Sequence, residues 1–188
     1  AMSDAGHELM LHLPMEPYGQ DDDVTTADNP GPQALLSGLD SLELQERLVW
    51  NLSRFDGFKG INNHMGSRLT EDAGVMQLVL STLKDQGLYF LDSRTSPDRV
   101  AAQAAQTAGL SRQERDVFID NDRNIAAVLQ QLEEAERIAL TGGSAIAIGH
   151  PYDVTLEALG QWIPTLKGKG IELVFASNLM HMPLETAD

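Results

Sequence analysis

Two rhythms of apolar and polar positions alternate along the chain. Short apolar runs at residues 7–13, 58–64, 88–91, 116–119, 144–149 and 171–176 read as strands buried on both faces. Between them, apolar positions recur every three or four residues, which is the helical period. Leu44, Leu48, Leu52 and Phe55 form one such stripe. Asp40 is placed to cap that helix, with Glu43 completing a capping box. Residues 72–86 give the clearest helix, with Val75, Met76, Val79, Leu80 and Leu83 on one face and Gly87 beyond its end. Ser96 and Pro97 read as an N-cap followed by proline at the first helical position, opening an Ala-rich helix that stops at Gly109. Ser111 and Glu114 suit a capping box on a short turn. A longer helix is expected over residues 124–140, with Glu133, Glu134 and Glu136 on its exposed face. Asp153 is expected to cap a last helix that runs to about Thr165 and kinks near Pro164.

Strand and helix thus alternate through the chain, and such an order requires crossovers between parallel strands. The predicted fold is α/β: a mainly parallel sheet of about six strands, open or closed into a barrel, with surrounding helices, in a single domain over residues 1–188. Residues 18–32, with three consecutive aspartates at Asp21, Asp22 and Asp23, read as a long excursion over a strand end. The first residues read as the last turn of a helix with Gly6 as its C′ glycine, and Ala1 before Met2 as a tag residue before an initiator methionine. The expectation is an N-terminally truncated domain, with the rest of that helix upstream.

Composition narrows the function classes. The 188 residues suffice for a sizeable core, and 42% hydrophobic with 22% charged residues is a globular balance. No apolar run reaches the roughly 18 residues of a membrane helix, and no signal-peptide pattern is visible. Acidic side chains number 28 against 13 basic, a formal charge of −15, which repels phosphate backbones and argues against nucleic acid as a partner. With no cysteine, thiolate metal sites and Cys nucleophiles are excluded. Any metal must be held by His, Asp, Glu or water.

Parallel strands end on one rim, and there the chain carries polar chemistry. The predicted exits hold His12 and Glu16, then Asn63 and His64, then Asp92 and Arg94, then Asp120 and Asn121, then His150, then Ser177 and Asn178. His7 stands at a strand start and is read as structural. There is no HExxH or HxxxH motif, so the signal is positional. Each residue also has a plainer reading. His12 would serve as a hydrogen-bonded core histidine, Asp92 with Arg94 as an ion pair and Asp120 as a helix cap.

The segments from Gly6 to Pro17 (Gly-His-Glu-Leu-Met-Leu-His-Leu-Pro-Met-Glu-Pro), Asn62-Asn63-His64-Met65-Gly66-Ser67, Asp92-Ser93-Arg94-Thr95, Phe118-Ile119-Asp120-Asn121 and Gly149-His150-Pro151 together resemble the divergent polysaccharide deacetylase family, in order and over essentially the whole chain. That resemblance implies a distorted (β/α) barrel. By analogy with the wider superfamily of carbohydrate esterases, it also implies metal-assisted removal of acetyl groups from sugars. His64 matches the first of two metal-binding histidines that the superfamily places four residues apart, while the second position falls on Arg68. The aspartate pair that the superfamily carries at the end of its first strand has no counterpart here.

The resemblance implies roles for the rim. His64 would be a metal ligand and His150 the general acid or oxyanion stabiliser. Asp92 and Asp120 would orient imidazoles or bind substrate. His12, Glu16, Asn63, Arg94 and Arg68 would contact the sugar. The cofactor implied is a divalent cation such as zinc, held weakly by this incomplete set, with low or no turnover expected. The partner implied is a carbohydrate, and the location periplasmic or otherwise exported. A second reading is a non-catalytic carbohydrate-binding or envelope protein of the same fold. Trp50 and Trp162 fall in helices and are read as packing residues, which leaves that reading without an aromatic platform. A third is self-association through exposed strand edges.

Overall fold

The computed structural model describes residues 5–19, 29–98 and 100–180. The aspartate run at 21–23, the helical turn expected at residues 1–4 and the tail from residue 181 lie outside the described residues. The described residues fall into two compact units, one reaching to Gln113 and the other spanning Glu114–Leu179. Each has its own hydrophobic core.

In the first unit, β1 (Met10–Met15), β2 (Gly60–Met65) and β3 (Tyr89–Asp92) pair in parallel, in a sheet of order β1-β2-β3-β4, with β4 at Arg112–Glu114. Leu13, Met15, Ile61 and Phe90 are fully buried, as strands covered on both faces require. The 14–16 stretch also bonds to Leu35, where the excursion returns beside β1. Helices α1 (Ser41–Leu52), α2 (Ala73–Asp85) and α3 (Val100–Ala108) supply the rest of this core. Asp40 caps α1 by accepting from the amides of Leu42 and Glu43, and Asp72 caps α2 through Gly74 and Val75. Glu43 pairs with Arg47 at 2.7 Å.

The second unit holds β5 (Val117–Phe118) and β6 (Ala147–Ile148), also parallel, with α4 (Ile125–Gly142) and α5 (Asp153–Leu166). Asn124 caps α4, and Gly143 ends it with a left-handed φ of 88°. Val128, Leu132 and Ala158 form the centre of this core, with Trp162 packed against it.

The α/β class with parallel strands and surrounding helices is therefore as the sequence predicts. Several local expectations are corrected. Residues 112–114 form strand β4 rather than a capped turn, since the Ser111 carbonyl just before it accepts from the Phe90 amide and the chain runs on beside β3. Residues 171–175 form no strand, although their composition is strand-like, and Leu173, Val174 and Phe175 are exposed. Ser177 and Asn178 then sit in a 3₁₀ turn rather than at a strand exit. Tyr152, not Asp153, is the cap residue of α5, and Pro164 lies inside that helix. Glu136 is buried rather than exposed, because Trp162 Nε1 and Lys169 Nζ both donate to its Oε1. Trp50 is 40% exposed, with the Arg54 guanidinium stacked on it at 4.0 Å.

Candidate functional site

The register of β1 on β2 sets His12 opposite Asn62 and Pro14 opposite His64. Side chains alternate along a strand, so His64 shares a face with Asn62 and hence with His12. The two imidazoles are diagonal neighbours on that face. His12 Nε2 lies 3.1 Å from His64 Nδ1, with the ring centroids 4.8 Å apart. The imidazole beside His64 thus comes from the adjacent strand, and not from four residues further along its own.

Asn62 and Asn63 are buried at the exit of β2, where they organise the loops rather than face outward. Asn63 Oδ1 accepts from the Ser93 amide at 2.7 Å, and its Nδ2 donates to the Met65 carbonyl at 2.8 Å. Ser93 Oγ donates to the Asn63 carbonyl, and Asn62 Nδ2 donates both to Ser93 Oγ and to the Leu91 carbonyl. Thr95 Oγ1 adds a second donor to Met65 O. This network holds two non-glycine residues at positive φ, Met65 at 54° and Arg94 at 51°. Left-handed backbone costs such residues about 1–2 kcal/mol each, and strain of this kind gathers at functional strand exits. Gly66, at φ 90°, follows directly, and a Cβ there would sit 2.8 Å from Met15 Cβ.

Asp92, also buried, accepts from the Arg94 amide at 2.7 Å through Oδ1. Glu16 is engaged by protein donors: Arg68 Nη1 lies 3.1 Å from its Oε1, while the amide and hydroxyl of Ser37 both donate to its Oε2 at 2.6 Å. The Glu16 carbonyl accepts from the amides of Arg68 and Leu69. Glu16 and Arg68 therefore fasten the β1 exit to the β2 exit.

In the second unit, Asp120 and His150 each stand two residues beyond their strand, β5 and β6. Asp120 is 3% exposed and fully partnered. Its Oδ2 accepts from the His150 amide at 2.5 Å and from Thr155 Oγ1 at 2.9 Å, and its Oδ1 lies 3.1 Å from His150 Nδ1. A carboxylate at Nδ1 fixes the proton there and leaves Nε2 as the working nitrogen. The His150 side chain is half exposed. Phe118 meets the imidazole edge to face at 5.4 Å, and Tyr152 lies against it at 5.0 Å. Arg123 stacks on Tyr152 and donates to its hydroxyl at 2.8 Å.

Ser93, Thr155 and Tyr152 escaped the sequence reading. Each is a common residue type beside a more conspicuous one, and only the fold shows what it binds. Two imidazole nitrogens 3.1 Å apart are near the roughly 3.3 Å that two ligands of a tetrahedral zinc would have at bonds of about 2.0 Å. A catalytic zinc takes three protein ligands, and among the described residues no group of three or more His, Cys, Asp or Glu gathers to hold an ion. The described residues thus supply two of the three donors.

An α/β protein with polar chemistry at the carboxyl ends of parallel strands is the class these features define. The chain belongs to the divergent polysaccharide deacetylase family, which matches residues 1–180. It is 37% identical over 180 residues to the uncharacterized protein YibQ of Escherichia coli (strain K12), covering 95% of this chain and 54% of that one. It is 33% identical over 174 residues to an uncharacterized protein of Haemophilus influenzae, covering 93% and 59%. The chain therefore spans a little over half the length of these curated relatives. A crystal structure of the uncharacterized protein ATU2773 from Agrobacterium tumefaciens C58 superposes with a TM-score of 0.88 at 30% identity, over 95% of this chain and 72% of that one.

Proposed function

We propose that this chain is the deacetylase domain of an envelope carbohydrate esterase, which hydrolyses acetyl groups on sugars. The observation that carries the reading is the His150–Asp120 dyad, buried at its carboxylate and open at its imidazole. Deacetylation needs a group that passes a proton to the leaving amine or alkoxide. His150 Nε2 would take the proton of the attacking water and then pass it to the leaving group, and Asp120 holds the ring and stabilises it while it carries both protons, as the carboxylate of an Asp–His pair does. Thr155 and the His150 amide keep Asp120 in place.

In the first unit, His12 and His64 form the imidazole pair to which a divalent cation would bind, a cation that polarises the acyl oxygen and acidifies water when present. With two donors among the described residues, its binding would be weak and turnover low in proportion. Arg94 and Arg68 serve sugar hydroxyls, Asn63 positions His64, and Asp92 shapes the β3 exit. Export to the periplasm agrees with a carbohydrate substrate. Among the described residues no helix is long and apolar enough to cross a membrane.

A binding-only reading of the same fold is the alternative, since sugar recognition needs no cation. Acetate release from acetylated chito-oligosaccharides, measured beside calorimetric binding of the same sugars, separates the two. Release supports the esterase, and binding without release supports the sugar-binding protein. Neither release nor binding would defeat both.

A further inference from the structure

Tyr18 is 61% exposed, yet its position is fixed at both ends. Its amide donates to Ser67 Oγ at 2.9 Å, and its hydroxyl donates to Glu71 Oε2 at 2.5 Å. Glu71 is itself held by the Ser96 hydroxyl on its other oxygen. Three consecutive strand exits are thus linked through Tyr18 and Glu71: Tyr18 follows β1, Ser67 and Glu71 follow β2, and Ser96, bonded to Glu71, follows β3. Tyr18 lies six residues beyond His12, and Ser67 three beyond His64.

An exposed aromatic contributes little hydrophobic stabilisation, and pinning it costs rotamer freedom. Such an arrangement suits a ligand rather than the core. The ring offers a flat apolar face, and the carboxylate at its edge offers acceptor lone pairs. A pyranose presents the complement, a face of C–H groups bordered by hydroxyls. The net charge of −15 favours a neutral sugar over an anionic one. The Ser96 and Tyr18 hydroxyls hold the Glu71 carboxyl below its ordinary range, so it stays an acceptor at neutral pH.

We propose that Tyr18 is a stacking platform for a neutral, N-acetylated pyranose unit, with Glu71 accepting a hydroxyl of the same ring. This rests on the carbohydrate reading above and adds to it a residue for sugar recognition outside the histidine pair. It also supplies the aromatic surface that Trp50 and Trp162 do not.

The test is calorimetric titration of the chain with the N-acetylglucosamine tetramer, in the wild type and in Tyr18→Phe, Tyr18→Leu and Tyr18→Ala. Tyr18→Phe keeps the ring and is expected to bind within about threefold of the wild type. The Leu and Ala variants are expected to bind about tenfold more weakly, the scale of one aromatic stacking contact. Thermal melts establish that each variant is folded, and Tyr18→Leu serves where Ala does not fold. Wild-type affinity in folded Leu or Ala variants would overturn the platform while leaving the carbohydrate reading intact. A wild type that binds no tetramer would overturn both.

Discussion

His12 Nε2 and His64 Nδ1 face each other at 3.1 Å across two neighbouring parallel strands. The pair exists because the register puts His12 level with Asn62, two residues before His64 and on the same face. A one-residue slip of β1 would turn His12 to the other face and dissolve the pair. The buried asparagines behind it, tied to Ser93 on β3's exit, hold the register where the imidazoles meet.

Asp120→Asn keeps the size of the side chain and removes its charge. An amide nitrogen would then face a donor of His150, so the ring would lose both its preferred tautomer and its counter-charge. Where acetate release is measurable, kcat is expected to fall by on the order of 10²–10⁴ with little change in KM. A variant as fast as the wild type would remove Asp120 from the chemistry.

Gly149 precedes His150, and a Cβ there would lie 2.6 Å from Ile119 Cγ1 and 3.1 Å from Asp120 Oδ2. Gly149→Ala is therefore expected to cost about 1–3 kcal/mol in urea unfolding, as overpacking does, and to disturb the dyad as well. The activity loss should exceed that of Gly142→Ala, a site with nothing within 4 Å.

Asn63→Leu fills a similar volume but abandons the Ser93 amide and the Met65 carbonyl in a buried setting. The expected loss is about 1–3 kcal/mol for each orphaned group, read from the urea midpoint at constant m-value. Asn63→Asp keeps the acceptor for Ser93 and should lose less. Equal losses would mean that the acceptor is not what matters.

Glu71 and Tyr18 predict a pH window. The Ser96 and Tyr18 hydroxyls lower the Glu71 carboxyl. A lowered carboxyl adds stability above its unfolded pKa of about 4.3, lost as pH falls through the folded value. Glu71, accepting the phenol's hydrogen bond, raises Tyr18. That contribution is present below about pH 10 and lost as pH rises through the folded value. Both groups are exposed, so the effect is small. The Tm difference between wild type and Tyr18→Phe should be flat from roughly pH 5 to 9 and shrink outside it. A difference that grows toward acid would contradict the assignment.

The elements with strong periodic signals were legible in the sequence. The stripe of α2, the cap at Asp40 and the strands β2 and β3 stand within a residue or two of where local pattern placed them, because burial and capping act over a few residues, while β1 runs on to Met15, past the Pro14 expected to end it. Residues 171–175 show the limit: strand-like composition does not supply a ladder partner. The site divides in the same way. His64, Asp120 and His150 were visible as polar residues at strand exits. The pairing of His12 with His64 was not, since it depends on the register of strands 52 residues apart. Thr155 and Ser93 were invisible for the same reason, as was the engagement of Glu16 by Ser37 and Arg68.

Acetate release from an acetylated chito-oligosaccharide as zinc is raised tests the central claim most directly. Wild type is expected to release acetate at a rate that climbs with zinc. His12→Ala and His64→Ala should lose the zinc dependence, and His150→Ala should lose the rate at every zinc concentration. No release by wild type at saturating zinc, or release unchanged in all three folded variants, would contradict the assignment of these histidines to deacetylation.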